Sequence, residues 1–204
     1  MPQPPYSVFT HASDTAATLR ASGRIGAALW RPSPNFGARP APSQISLVVV
    51  HCISLPPGQF GGPEIEDFFC NQLDCTAHPY FQTIATMTVS AHLLIRRDGT
   101  LVQFVSLLDR AWHAGRSQFR GQDECNDFSI GIELEGSDDV PYTENQYQVL
   151  CAVCQQIMAA WPEIGVNEIT GHSNIAPGRK TDPGPAFDWS RLQQSLAKPK
   201  KDRS

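Results

Sequence analysis

Apolar residues fall in short runs along most of the chain and show a helical period clearly only once. Ile45–His51 (ISLVVVH) is nearly continuous and β-branched, as expected of a strand buried on both faces. Val89–Arg96 (VSAHLLIR) and Thr100–Val105 (TLVQFV) read as two more strands, and Asp98-Gly99 between them is a hairpin turn signal. Phe128–Leu134 (FSIGIEL) reads as a further strand. From Thr143 to Ala160 the residues Tyr147, Leu150, Cys151, Cys154, Ile157 and Met158 recur at helical spacing, with Trp161 and Pro162 at the end. Thr143 suits the N-cap of that helix. Pro63 suits the first turn of a short helix running to about Cys70, and another short helix is expected after Asp188.

The rest reads as connection. Residues 1–25 are polar and weakly patterned, and read as an extension or loosely packed arm. Trp30–Pro42 is Pro-rich and extended, and Asn71–Thr88 reads as irregular. The charged end KPKKDRS reads as a disordered tail. The division expected is an extension over 1–25, one domain over 26–196 and a tail over 197–204. The fold class expected is α/β: a single domain with a central mixed β-sheet of four or five strands, flanked by helices and served by long functional loops.

A length of 204 residues with 41% hydrophobic content fits one domain with a sizeable core. The net charge of −4 argues against a nucleic-acid partner. The longest apolar run, Leu47–Val50, is too short to span a bilayer. The first residues contain no basic stretch followed by an apolar one. The expectation is a cytoplasmic monomer without a membrane partner, its six cysteines reduced.

The chemistry concentrates in Thr170–Trp189 (TGHSNIAPGRKTDPGPAFDW), where prolines and glycines exclude a regular helix or strand. This segment carries His172, Lys180 and Asp182. Upstream, His51 closes one apolar strand and Glu133 lies near the end of another. Carboxylates seldom occupy such strands without a partner or a task. Two histidines and a carboxylate leave a fourth position open on zinc, which is the pattern of a hydrolytic site. Spacing alone does not fix such a site, because these residues are far apart. A cysteine nucleophile is the competing reading. Neighbouring strand residues point to opposite faces, so Cys52 would have to pair with His92 or His113 instead of His51.

Six segments together narrow the choice: VVVHCISLPPGQFGG, HPYF, VSAHLLIRRDG, LDRAWHAGRS, CNDFSIGIELEG and GHSNIAPGRKTDPGPAFDW. From about Trp30 to Trp189 the chain resembles the N-acetylmuramoyl-L-alanine amidase type 2 family, whose fold is shared with peptidoglycan recognition proteins. Within that family it is most similar to the cytosolic enzymes that act on 1,6-anhydro-muropeptides. The resemblance implies one Zn2+ per chain, held by His51, His172 and Asp182. It implies Glu133 as general base and Lys180 as stabiliser of the transition state. It further implies hydrolysis of the amide between the lactyl group of 1,6-anhydro-N-acetylmuramic acid and L-alanine. That reaction belongs to bacterial cell-wall recycling and lowers the muropeptide signal that controls β-lactamase induction.

Trp112, Tyr80, His113, Ser173 and Cys52 are the candidates for contact with the muropeptide. At the position of Cys52 members of that family usually carry Asn, whose amide donor a thiol does not replace. Glu135 is expected to be a solvated strand-end carboxylate, and His92 a buried structural histidine. His78 and His11 are expected to have no role. A non-catalytic muropeptide-binding protein on the same fold is disfavoured by the complete ligand set. An amidase acting on intact murein is disfavoured by the lack of an export signal.

Overall fold

The computed structural model describes residues 16–197. Its strands in chain order are β1 Leu29–Trp30, β2 Phe36–Gly37, β3 Leu47–Ile53, β4 Leu93–Ile95, β5 Leu101–Gln103, β6 Arg110–Ala111, β7 Gln118–Phe119, β8 Gln122–Asp123, β9 Ser129–Glu135 and β10 Ile169–Gly171. The helices are α1 Ala16–Ser22, α2 Glu64–Phe69, α3 Pro79–Ile84, α4 Glu144–Ala160, α5 His172–Ile175 and α6 Trp189–Ala197. Six strands form one mixed sheet in the order β1-β5-β4-β9-β3-β10. Only the β4–β5 hairpin is antiparallel within it.

The β-branched runs sit where such runs belong. All seven residues of β9 are buried, as are the first five of β3. The two strands pair in parallel over their full length, from Leu47 opposite Ser129 to Ile53 opposite Glu135. Alternation divides their side chains between two layers. Val48, Val50, Ile130, Ile132 and Leu134 pack in one cluster with Leu150, Val153 and Ile157 of α4. Leu47 and Val49 face the other way, toward Ala114, Cys125, Phe128 and Ile175. A second cluster closes the β4–β5 end, where Phe68, Phe69, Phe81 and Ile84 of α2 and α3 meet Leu94, Val102 and Phe104.

Helix α4 begins at a reciprocal cap. The Thr143 hydroxyl accepts from the Gln146 amide at 3.2 Å, and the Gln146 side chain accepts from the Thr143 amide at 3.1 Å. The expected α/β architecture is therefore present, with four departures.

The sheet has six strands because the short β1 and β10 join its two edges. Asn71–Thr88 is not wholly irregular. His78 caps α3, its Nδ1 accepting from the Tyr80 amide at 3.1 Å, and Pro79 occupies the first turn. Part of the N-terminal extension is packed instead of loose: Leu19 and Ile25 are buried, and Arg20 donates to the Ala160 carbonyl at the end of α4. Glu135 is buried, not solvated. Its carboxylate accepts from the Gly61 amide at 2.5 Å and the Arg97 amide at 3.0 Å, so it ties two loops to the end of β9. The expectations for His11 and the KPKKDRS tail lie outside the described residues. No helix among the described residues is long and apolar enough to cross a membrane.

Candidate metal centre and active site

Three neighbouring parallel strands end at one crevice. His51 and Glu133 are register partners near the ends of β3 and β9, and His172 follows directly on β10, whose Gly171 pairs with Val50. Open α/β sheets bind their ligands at such carboxyl ends. Asp182 arrives on the Pro-rich loop. The Ser173 amide donates to the Asp182 carbonyl at 3.0 Å, and the Tyr142 hydroxyl donates to the Pro183 carbonyl at 2.8 Å. Pro183 also lies tightly against Gly171: a Cβ added there would sit 2.9 Å from the proline ring. These contacts bring the segment's two acidic and imidazole groups together.

The ligand atoms converge closely. His51 Nδ1, His172 Nδ1 and Asp182 Oδ2 lie 3.0 Å from one another on all three sides. A tetrahedral zinc with ordinary bond lengths requires donor separations of roughly 3.3–3.6 Å. The triangle fits that requirement with a slight expansion. The far nitrogens are already engaged, His172 Nε2 with the Ala114 carbonyl at 3.1 Å and His51 Nε2 with His113 Nδ1 at 2.9 Å. Among the described residues His51, His172 and Asp182 form the only such cluster of histidine, cysteine or acidic ligand atoms. The donor set suits zinc.

Electrostatics prepare these groups for a cation. Burial, with the nearby His172 and Lys180, lowers the His51 pKa to about 4 and keeps the ring neutral. Burial pushes Asp182 up, but its close contacts with His172 and His51 outweigh it and hold the carboxyl well below the usual range. Glu133 is the reverse case. Burial raises its pKa well above normal, Asp182 adds to the shift, and the charge of Lys180 opposes it. Glu133 Oε2 is buried with no hydrogen-bond partner. A buried polar atom left unpaired at a strand end has a cost, and a bound reactant that occupies it removes that cost.

The centre opens into a cleft of ≈ 630 Å³ whose lining includes Glu133, Lys180, Trp112, Tyr80, Met87 and Asp138. Trp112 and the partly exposed Tyr80 lie on the cleft wall. Cys52 also lines the cleft, 3.5 Å from Asp138 Oδ1. Burial raises its pKa strongly, which disfavours the thiolate that a nucleophile needs.

His113 lines the cleft as well, but both ring nitrogens are engaged by protein, with His51 and with Ser129 Oγ at 3.1 Å. It stands behind His51, with neither ring nitrogen left without a protein partner. Ser173 joins the site through its backbone amide alone and is absent from the cleft wall. His92 is fully buried, its Nδ1 accepting from the Gly131 amide at 2.9 Å, as expected of a structural histidine. Sequence reasoning missed Asn126, whose Oδ1 accepts from the amides of His113 and Ala114 at 3.1 and 2.8 Å. A lone Asn in a short 3₁₀ turn gives no sequence signal.

Comparison with known proteins places this arrangement. The family model described as N-acetylmuramoyl-L-alanine amidase matches residues 41–185. The 1,6-anhydro-N-acetylmuramyl-L-alanine amidase AmpD of Salmonella typhimurium strain SL1344 is 57% identical over 166 residues, which cover 81% of this chain and 88% of that one. The crystal structure of a selenomethionine AmpD derivative superposes with a TM-score of 0.83 at 55% identity, covering 85% of this chain and 97% of that one. The amidase AmiD of Escherichia coli, in complex with the substrate anhydro-N-acetylmuramic acid-L-Ala-D-γ-Glu-L-Lys, superposes with a TM-score of 0.54 at 30% identity, covering 76% of this chain and 60% of that one. The chain belongs to the N-acetylmuramoyl-L-alanine amidase family.

Proposed function

We propose that this chain is a zinc-dependent amidase that hydrolyses the amide between the lactyl group of 1,6-anhydro-N-acetylmuramic acid and the L-alanine of muropeptides. The observation that carries the reading is the triangle of His51, His172 and Asp182 beside the unpaired Glu133 Oε2. The relatives named 1,6-anhydro-N-acetylmuramyl-L-alanine amidase, at 57% identity, support the substrate.

Zinc held by two imidazoles and a carboxylate supplies Lewis acidity and brings the pKa of water toward neutrality. The chain's own groups do the rest. Glu133, made more basic by burial, takes the proton of the attacking water and passes it to the departing alanine nitrogen. The Lys180 ammonium, on the cleft wall, stabilises the charge that develops on the lactyl oxygen. Trp112 and Tyr80 offer aromatic faces to the sugar. Cys52 offers no amide there, so affinity or peptide preference differs from that of an Asn-bearing relative.

The catalytic unit spans 26–196, flanked by 1–25 and 197–204. The enzyme works as a cytoplasmic monomer in cell-wall recycling and so lowers the muropeptide signal for β-lactamase induction. The deciding experiment compares anhydro-muropeptide with its reduced counterpart as substrates of the zinc-loaded protein. Rapid release of peptide from the anhydro form alone is expected. Equal rates on both would point to intact murein instead, and full turnover after complete zinc removal would end the metal reading.

A further inference from the structure

Both imidazoles of the metal centre are held from behind by one short segment, Trp112–Ala114. His172 Nε2 lies 3.1 Å from the Ala114 carbonyl. A carbonyl only accepts, so His172 carries its proton on Nε2 and turns a bare Nδ1 toward Asp182 and His51. His51 is less determined, because its Nε2 meets another imidazole, His113 Nδ1, at 2.9 Å. Two arrangements are open to that pair. With the proton of His113 on Nδ1, His51 Nε2 accepts, its own proton sits on Nδ1, and that proton points at Asp182 and blocks a cation. With the proton of His113 on Nε2, His113 Nδ1 accepts from His51 Nε2–H, and His51 Nδ1 is bare.

The surroundings supply what the second arrangement needs. His113 Nε2 lies 3.1 Å from Ser129 Oγ, a hydroxyl that would donate in the first arrangement and accepts in the second. The backbone of the segment is fixed by Asn126, whose Oδ1 takes both the His113 and Ala114 amides. The strand beneath leaves room for the ring: a Cβ added at Gly131 would lie 2.4 Å from His113 Cγ. His113 meets His51 edge-on, with ring centres 5.0 Å apart.

We infer that His113 and Ser129 are positioning residues, and that the chain Ser129–His113–His51, with the Ala114 carbonyl serving His172, sets both ligands in the tautomer that presents Nδ1 to the metal. Nothing in this role requires His113 to touch the substrate. The inference rests on the zinc reading above, and its test separates the two.

The test measures zinc affinity by chelator competition for the wild type, His113→Phe and His113→Asn. Loss of the acceptor in His113→Phe should weaken zinc binding by roughly 10–100-fold, the usual range for removing a partner of a ligating histidine. His113→Asn places an amide oxygen near the position of Nδ1 and should recover most of the affinity. Nitrogen-15 NMR of the zinc-loaded wild type should show His113 protonated on Nε2 and bare on Nδ1, a result that needs no variant to fold. A folded His113→Phe protein that binds zinc as the wild type does, or a His113 proton found on Nδ1, would overturn the inference. Failure of the wild type itself to bind zinc would instead remove the reading beneath it.

Discussion

His51 and Glu133 stand directly opposite each other across the β3–β9 pair. Register partners in a parallel pair project from the same face, and neighbouring strands run about 4.8 Å apart. The sheet backbone therefore sets the separation between the His51 imidazole and the Glu133 carboxyl, with no loop involved. Sites built on such rigid elements hold their geometry better than sites on loops.

Glu133→Gln keeps the shape of the side chain and removes its basicity. The variant should retain its zinc and lose turnover by roughly 10²–10⁴-fold. Metal analysis beside a rate measurement checks this. Loss of zinc in step with rate would make Glu133 a residue that shapes the site.

Lys180→Met removes a charge from an exposed position on the cleft wall. The expected result is a fall in kcat of roughly 10²–10³-fold with KM little changed, because the charge acts on the developing oxyanion. Stability should stay within about 0.5 kcal/mol of the wild type. A raised KM with kcat intact would assign Lys180 to ground-state binding.

The metal-free protein should lose stability in mild acid. Burial lowers the pKa of His51 to about 4, that of His92 to about 3, and that of His113 well below normal. Each favours the neutral form in the folded state. That contribution is complete above the unfolded value near 6.5 and fades as pH falls toward the folded value. Glu133 has the opposite sign: its raised pKa stabilises the fold at low pH and loses that effect as pH rises through the folded value. Near pH 5 the three histidines held neutral in the fold outweigh the one raised carboxyl, so stability should fall as pH falls, by on the order of 1 kcal/mol per pH unit for each excess proton on the unfolded chain. Urea unfolding between pH 5 and 6 measures it, and a flat profile would show that these rings are hydrated in solution.

Gly184→Ala tests the loop that carries Asp182. Gly184 has φ +79°, and a Cβ there would lie 2.2 Å from the Asp138 Cα. Left-handed strain and a backbone clash together should cost at least about 2 kcal/mol, or roughly 4–8 °C in Tm. Gly58, at φ +78° with open space around it, is the control. Gly58→Ala should cost only the conformational part, about 1 kcal/mol. Equal shifts in thermal melts for the two variants would mean that the approach to Asp138 relaxes freely.

What the sequence determined by itself was the set of strongly patterned elements. Continuous β-branched runs made β3 and β9 legible, and a helical period with a Thr143 cap made α4 legible, because burial face and capping are local properties. The five residues His51, Glu133, His172, Lys180 and Asp182 came from the family resemblance. Spacing did not supply them, since His51 and His172 are 121 residues apart.

Tertiary structure decided the rest. Two- and three-residue strands such as β1 and β10 have too few positions to show a period, and they exist because a longer neighbour offers them its edge. His78 caps α3 through a ring nitrogen, which no cap preference anticipates. Glu135 is charged and strand-final, as a solvated residue would be, yet two amides from distant loops bury it. His113 lies in the same short motif as Trp112, and only the fold shows that both reach the cleft while His113 alone also meets His51. Which nitrogen of an imidazole meets which partner depends on the placement of atoms from separate segments to within an ångström. A sequence records the preferences of each segment, and those distances arise only when the segments pack.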